Sequence, residues 1–341
     1  MAKISTIKDV ASLANVSIAT VSRVINHSGT VNPVLAKRVQ QAIHDLDYSP
    51  NIVARSLKTS NTATIAFLVS NISDPYFITI GRGIEDYIKG FGYNLIVCSI
   101  GHSKEKEISY LQLLKEKKVD GLILNTVGYN DDIISEISQN TPIVLSNRRI
   151  NSAFFNGDFV DSDNVGGVYA LTEYLLAAGH RKIGTINGPP HLSTASERYR
   201  GFCNAMGSHG ISINQDYPYR YEGLFNSESG YNGAKMLMEQ PSPPSAIILM
   251  SSEIAVGAMR YFSANKISVP DSVSIVCFGD IPNREILYIN PTVAATNLTG
   301  MGMKMGELLL ERIQSKDPIA NREICFTTQI YYGNSVMEIQ P

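Results

Sequence analysis

From residue 62 onward the chain alternates continuous apolar runs with helical patterns, and it does so in two rounds. The first round reads "TIAFLVS" (64–70), the helical "PYFITIGRGIEDYIKGFGY" (75–93), "NLIVCSI", the helical "EKEISYLQLLKEKKV", "DGLILNT", a helix around "DDIISEIS", and "PIVLSN" (142–147). Apolar runs without alternation are strands buried on both faces, and strand–helix–strand units with short connections make a parallel sheet covered by helices. After Asp161 the pattern restarts with the helical "NVGGVYALTEYLLAAGH", the strand "KIGTING", the helices "ASERYRGFCNAMGSHG" and "GYNGAKMLMEQ", and the strands "SAIILM" and "SVSIVCF". Two similar α/β lobes are therefore expected. The 341 residues exceed what one core organises, so a further unit is expected ahead of them.

That unit is helical. In "TIKDVASLANVSIATVSRVIN", Thr6 can cap a first helix that places Ile7, Val10, Ala11 and Ala14 on one face, with Asp9 completing a capping box. Asn15 and Val16 make a turn, and Ser17 caps a second helix whose Val21, Val24 and Ile25 face inward. A third helix, "NPVLAKRVQQAIHDLD", opens with Pro33 and closes a miniature core with Leu35, Val39, Ile43 and Leu46. The second helix carries small residues at its start, so it fits a major groove about 12 Å wide, where Arg23 can reach a base edge or phosphate. The same amphipathic bundle also suits a protein-docking module.

Charge and composition bear on that choice. The whole chain has a formal charge of −2, but the first 60 residues set seven Lys and Arg against three Asp, a net +4, leaving −6 for the rest. A basic head on an acidic body favours a polyanion partner for the head. After it, "YSPNIVARSLKTSNTAT" could form only about two helical turns, too few to be stable alone, and reads either as a segment ordered on a partner or as a plain linker. Leu57 at its end is suited to wedging between base steps in a minor groove, and Arg55 adds charge beside it. Cys98, Cys203, Cys277 and Cys325 are far apart, without ligand-like spacing, and are expected as reduced core thiols. Met301, Met303 and Met305 alternate with small residues and suit adaptable packing better than metal ligation. No apolar run has signal-peptide or membrane-span length, so the expected place is the cytoplasm, on the bacterial nucleoid when DNA-bound.

The combination of "TIKDVASLANVSIATVSRVIN", "YSPNIVARSLKT" and "TIAFLVSNISDPYF" resembles the LacI/GalR family of transcription regulators, closely over the first 80 residues and more loosely over nearly the whole chain. The resemblance implies an all-α helix-turn-helix head with a hinge helix, joined to a periplasmic-binding-protein-like α/β core of two Rossmann-like lobes. It implies phosphate contacts from Thr6, Ser17, Thr20 and Asn26, and major-groove contacts from Ile18, Ala19 and Arg23. Asn51, Val53, Ala54 and Leu57 would belong to the hinge helix, with Leu57 as the wedge. Ile18 and Ala19 offer only van der Waals contact, so readout would lean on Arg23, the hinge and DNA deformability. The family binds palindromic operators as dimers; a homodimer is expected here, with a tetramer also open. The division implied is 1–49 for the DNA-binding domain, 50–61 for the hinge and linker, and 62–341 for the core. Its first lobe would span about 62–161 plus 292–325 and its second about 162–291 plus 326–341, with crossings near 161–163, 291–295 and 323–327.

In open α/β sheets ligands bind beyond the carboxyl ends of the strands. That rule selects Asn71, Asp74, Phe77, Asn125, Asn147, Arg148, Asp161 and the 191–198 loop, a polar set around an aromatic ring that suits a polyol. The resemblance adds Arg198 in "ERYRGF" as an effector clamp, Asp161 as a crossover aspartate, and His180 in "GHRKI" as a turn-fixing residue. Ser251 and Ser252 stand where the family usually has Asn-Asp, and "CFGD" replaces "GFDD", keeping Asp280 but placing Gly279 at the first aspartate. Ser252 and Asp280 complete the expected effector set. Two lost acceptors suit a smaller or less hydroxylated effector, a phosphorylated one, or none; Arg148 and Arg198 suit an anion.

The chain has no P-loop, no GxSxG elbow and no dinucleotide fingerprint, so an enzyme is not expected, nor any cofactor or metal. A sugar-binding protein would explain the lobes but not the head. The expectation is a repressor of operator DNA, modulated by a sugar or sugar phosphate in the interlobe cleft. A regulator controlled by a protein partner remains the alternative.

Overall fold

The computed structural model describes residues 5–25, 30–48, 62–117, 119–214 and 216–339. They fall into two compact units that divide after Thr62. The first holds α1 (Ile7–Ala14), α2 (Ile18–Ile25) and α3 (Pro33–Asp45). Thr6 and Asp9 form the expected capping box, and Asn15 turns the chain out of α1 in a left-handed conformation, φ 49°. Val10, Ala11, Ala14, Val21, Val39 and Ala42 make the small core, with Ile43 and Leu46 packed on its flank. Burying six mostly small side chains stabilises a unit this size only modestly, and Arg38 adds to it by donating to the Ala14 carbonyl at the end of α1.

The second unit contains two six-stranded sheets. One is entirely parallel, in the order β11 (Glu323–Phe326), β5 (Asp158–Ser162), β4 (Ile143–Ser146), β3 (Gly121–Leu124), β1 (Thr64–Val69), β2 (Asn94–Ser99). The other runs β12 (Gln329–Tyr331), β10 (Thr292–Ala295), β9 (Ser274–Phe278), β8 (Ala246–Leu249), β6 (Ile183–Asn187), β7 (Arg220–Glu222), with only β12 antiparallel. Helices α4 (Pro75–Ile88), α5 (Lys104–Lys117), α6 (Asp131–Ser138) and α11 (Leu298–Gln314) accompany the first sheet; α7 (Asn164–Ala177), α8 (Ser193–Ser208), α9 (Ser227–Met238) and α10 (Ser252–Ala264) accompany the second. Central strands such as β1 are buried on both faces, as their unbroken apolar sequence requires.

Several expectations need correction. Strand β10 pairs in parallel with β9, so 292–295 lies in the second sheet, and the chain crosses back after Ala295 rather than ahead of it. The helix read over 75–93 ends at Ile88 and tightens into a 3₁₀ turn before Gly92, which adopts φ 80°. Cys325 is exposed on edge strand β11 and Cys98 and Cys203 are half-buried, leaving only Cys277 as a fully buried thiol. Met301 and Met305 are buried, while Met303 is exposed. Their helix, α11, lies so close on α4 that a Cβ at Gly302 would stand 2.1 Å from the Ile80 carbonyl oxygen, so glycine is required by backbone proximity. Among the described residues no cluster of metal-ligating side chains occurs and no helix is long and apolar enough to cross a membrane.

Candidate DNA-reading helix and effector cleft

At the start of α2 the Ser17 hydroxyl accepts from the Thr20 amide at 3.1 Å and pairs with the Thr20 hydroxyl at 2.9 Å. With Val21 buried beneath, the helix turns Ser17, Ile18, Ala19 and Arg23 to the surface and leaves Thr20 half-buried. Thr6, the cap of α1, is exposed as well. Exposed helix N-termini present unpaired N–H groups, the feature that phosphate oxygens accept. Arg38, in contrast, is engaged with α1 and serves the packing of the head. Asn26, Asn51, Val53, Ala54, Arg55 and Leu57 lie outside the described residues.

The two lobes of the core line a cleft whose empty space, open to solvent, is about 560 Å³. It is lined by Asn71, Asp74, Phe77, Asn125, Asn147, Arg148, Arg198 and Ser252, eight of the ten residues selected from the sequence. Each follows the carboxyl end of a parallel strand or opens the helix beyond it, as the strand-end rule requires. Asp74 caps α4 by accepting from the Tyr76 amide at 2.9 Å. Asn125 donates to the Ser146 carbonyl at 2.9 Å, and Asn147 is held at φ 64°. Arg148 donates Nη1 to the Thr126 carbonyl at 2.8 Å. From the second lobe, Arg198 on α8 donates Nε to Asn164 Oδ1 at 2.8 Å and Nη1 to the Met250 carbonyl. Its guanidinium carbon lies 4.2 Å from the Phe278 ring centre and 5.3 Å from that of Phe225.

The other two selected residues lie elsewhere. Asp161 is buried beside the cleft, accepting from the Ser162 amide and the Asn164 side chain. Asp280 faces outward and pairs with Arg284 at 3.1 Å, because Gly279 bends the chain at φ 98° just before it. His180 bonds Ser245 at 2.9 Å, away from the cleft. Sequence reading missed Tyr76, His102 and Phe225, which also line the cavity. Phe225 follows β7, and the strand-end rule would have found it had that three-residue strand been recognised.

Burial sets the electrostatics. It pushes the Asp74 carboxyl up to about 6 and the Asp161 carboxyl up to about 7, the latter with help from Glu197. It also lowers both Arg148 and Arg198 to about 10, with Arg198 adding repulsion at Arg148, so both remain charged at neutral pH. His102 is brought down to about 4 by burial and by Arg148, and is neutral there. Four buried oxygens of the lining have no hydrogen-bond partner: Tyr76 Oη, Asn125 Oδ1, Asn147 Oδ1 and Thr194 Oγ1. At the rim, the Tyr129 and His191 rings lie tilted with centres 4.3 Å apart, and the Arg149 backbone amide donates to Ser193 Oγ at 3.0 Å, so the opposite lobes meet there.

Known proteins share this fold and its family signatures. Residues 6–51 match the family of bacterial regulatory proteins of the lacI type, and residues 62–333 match the periplasmic binding proteins and sugar binding domain of the LacI family. The HTH-type transcriptional repressor PurR of Pasteurella multocida (strain Pm70) is 33% identical over 312 residues, covering 92% of this chain and 93% of its own. Among solved structures, a complex of the transcriptional regulator CelR with cellobiose is 27% identical, with a TM-score of 0.73 over 97% of this chain and 99% of its own. The lac repressor dimer bound to operator and the anti-inducer ONPF, at 22% identity, shares the fold with a TM-score of 0.83 over 98% and 100%. With both units matched and nearly the full length of a curated repressor aligned, the chain belongs to the LacI family of bacterial regulatory proteins and is a DNA-binding transcription regulator rather than an enzyme.

Proposed function

We propose that the protein is a repressor that binds a palindromic operator as a homodimer and responds to a sugar or sugar phosphate held between its lobes. The observation that carries this reading is the cleft itself: eight side chains chosen from sequence converge on it from both lobes, in a chain that begins with an exposed, serine-capped second helix. The PurR relative is a transcriptional repressor, and the CelR structure holds cellobiose. Thr6, Ser17, Thr20 and Asn26 hold phosphates, Ile18, Ala19 and Arg23 face the major groove, and the segment with Asn51, Val53, Ala54, Arg55 and Leu57 reaches the minor groove. The domain limits are 1–49, 50–61 and 62–341, with Thr292–Ala295 moved to the second lobe. The protein works in the cytoplasm, on the nucleoid when bound to DNA. A ligand that alters the fit of the lobes changes the spacing of the paired heads and so the affinity for DNA, by linkage.

Operator selection with the full-length protein at stated salt tests the reading, followed by operator titration with a panel of sugars and sugar phosphates. A short palindrome whose affinity shifts with one compound is the expected result. Failure to select any sequence would overturn the DNA assignment, and a palindrome indifferent to every compound would overturn the effector assignment.

A further inference from the structure

Arg148 and Arg198 are 5% and 6% exposed, and neither forms an ion pair among the described residues. The carboxylates nearest them act only from beyond ion-pair distance, Glu107 and Asp74 on Arg148 and Asp161 and Glu197 on Arg198. Asp74 is engaged in capping α4, and Asp161 is engaged with Ser162 and Asn164. At the strand ends that face the two guanidinium groups the sequence supplies an amide, a hydroxyl and a glycine, at Asn147, Ser251 and Gly279. A buried guanidinium without a directly paired carboxylate is costly, and Arg198 repels Arg148, so the two in one cavity favour a charge brought from outside. Each still has donors to offer: Arg148 has committed Nη1, and Arg198 has committed Nε and Nη1. Both lie over the ring of Phe225, at 5.9 and 5.3 Å, which fixes them toward a common volume.

We propose that the cleft takes a small molecule bearing an oxyanion group, a carboxylate or a phosphate, clamped between Arg148 of the first lobe and Arg198 of the second. This rests on the reading of the cleft as the effector site. A neutral sugar would satisfy hydroxyl partners such as Asn125 and Thr194 but would leave both guanidinium groups without an ion pair. An oxyanion compensates both, and because the arginines belong to different lobes, the same contact cross-links the lobes. The fork of donors on each arginine matches the geometry of carboxylate and phosphate oxygens.

The test is calorimetric titration of the full-length protein, at constant ionic strength, with sodium sulfate, inorganic phosphate, glucose 6-phosphate, glucuronate and glucose. Saturable binding of at least one oxyanion, tighter than that of glucose, is the expected result, and glucuronate against glucose 6-phosphate separates carboxylate from phosphate. R148Q and R198Q each lower that affinity about ten- to hundredfold, the effect of losing a charge-assisted contact. R148K, which keeps the charge without the fork, loses less than R148Q; a melting curve for each variant establishes that it is folded. Oxyanion affinity unchanged in both glutamine variants would overturn the proposal, as would tighter binding of glucose or no saturable oxyanion binding at millimolar concentration. In any of these cases the cleft remains the effector site if a neutral compound shifts operator affinity, and that reading fails only if none does.

Discussion

The core contains two pairs of buried or half-buried arginines, and they are partnered in opposite ways. Arg312 and Arg322 converge on Asp158, which is fully buried at the start of β5. Arg312 donates Nε and Nη2 to the two carboxylate oxygens at 2.7 and 2.8 Å, and Arg322 donates Nη2 at 2.8 Å and its backbone amide at 3.0 Å. Burial alone would raise the Asp158 carboxyl, but the two guanidinium groups outweigh it and hold it below the usual carboxylate range. Arg148 and Arg198, by contrast, face each other's lobes across the cavity with carbonyl and amide partners only. A closed node fastens α11 and β11 to the first sheet; an open node keeps its charge available. Buried charge in this fold is fastened where the chain supplies an ion pair, and on the clamp proposed above it awaits a ligand where the chain does not.

The largest effect expected from this contrast is at the closed node. D158N places an amide, which must point a donor at guanidinium donors, where a carboxylate accepted from both arginines. Breaking a buried ion pair from one side costs about 3–5 kcal/mol, measurable as a lower urea midpoint at unchanged slope. A loss under about 1 kcal/mol would mean that the node behaves as a surface pair, and the contrast would fail.

The same logic run in reverse should close the open node. Asn147 lines the cavity with a partnerless Oδ1 and sits at φ 64°, a conformation that aspartate also tolerates. N147D introduces the missing carboxylate beside Arg148. Oxyanion affinity should fall about tenfold or more, since the ligand must now displace an internal partner. Undiminished affinity in N147D would break the comparison by showing that Arg148 is not the anion's contact.

The fold was legible because parallel strands buried on both faces leave unbroken apolar runs such as "TIAFLV", and because α1 and α2 write their caps in Thr6, Asp9 and Ser17. Six cavity residues, Asn71, Asp74, Phe77, Asn125, Asn147 and Arg148, were legible for a geometric reason: a parallel sheet delivers every strand's carboxyl end to one edge, so locating the strands locates the site; Arg198 and Ser252 were legible through the family resemblance. Phe225 was not, because the short strand "RYE" before it is polar and only half-buried, with no apolar run to mark it. Asp280 was misplaced because a left-handed glycine, visible as a residue but not as a conformation, rotates the next side chain out toward Arg284. The pairing of Arg312 and Arg322 with Asp158 joins positions more than 150 apart, and nothing local announces it.

Acidity offers a smaller test that separates the nodes by sign. Asp158, whose carboxyl is depressed, contributes stability that is complete above the ordinary value of 3.8 and is lost as pH falls through its lower folded value. Asp74 and Asp161, raised by burial, act the other way: their contribution is present below 3.8 and is lost as pH rises through about 6 and about 7. As they ionise they also repel a bound oxyanion. Glu107 and Glu253 are raised by burial too and add in the same direction, Glu197 lies beside Asp161, and His102 is neutral above about 4. Sulfate, which does not titrate in this range, should therefore bind severalfold more weakly at about pH 8 than at about pH 5.5, and D161N should flatten the profile. A steeper loss at the acid end would place the controlling group elsewhere.

The smallest effect should be on the stability of the ligand-free protein when the open node loses an arginine. R148M removes one hydrogen bond to the Thr126 carbonyl but also removes a desolvated charge that Arg198 repels. Those two changes oppose each other, because removing a buried charge that has no ion pair relieves its desolvation cost. The urea-derived stability of R148M should lie within about 1 kcal/mol of the parent, even as its oxyanion affinity collapses. A destabilisation like that of D158N would mean that Arg148 already has an internal counterweight, and the cavity would then have no charge left for a ligand to meet.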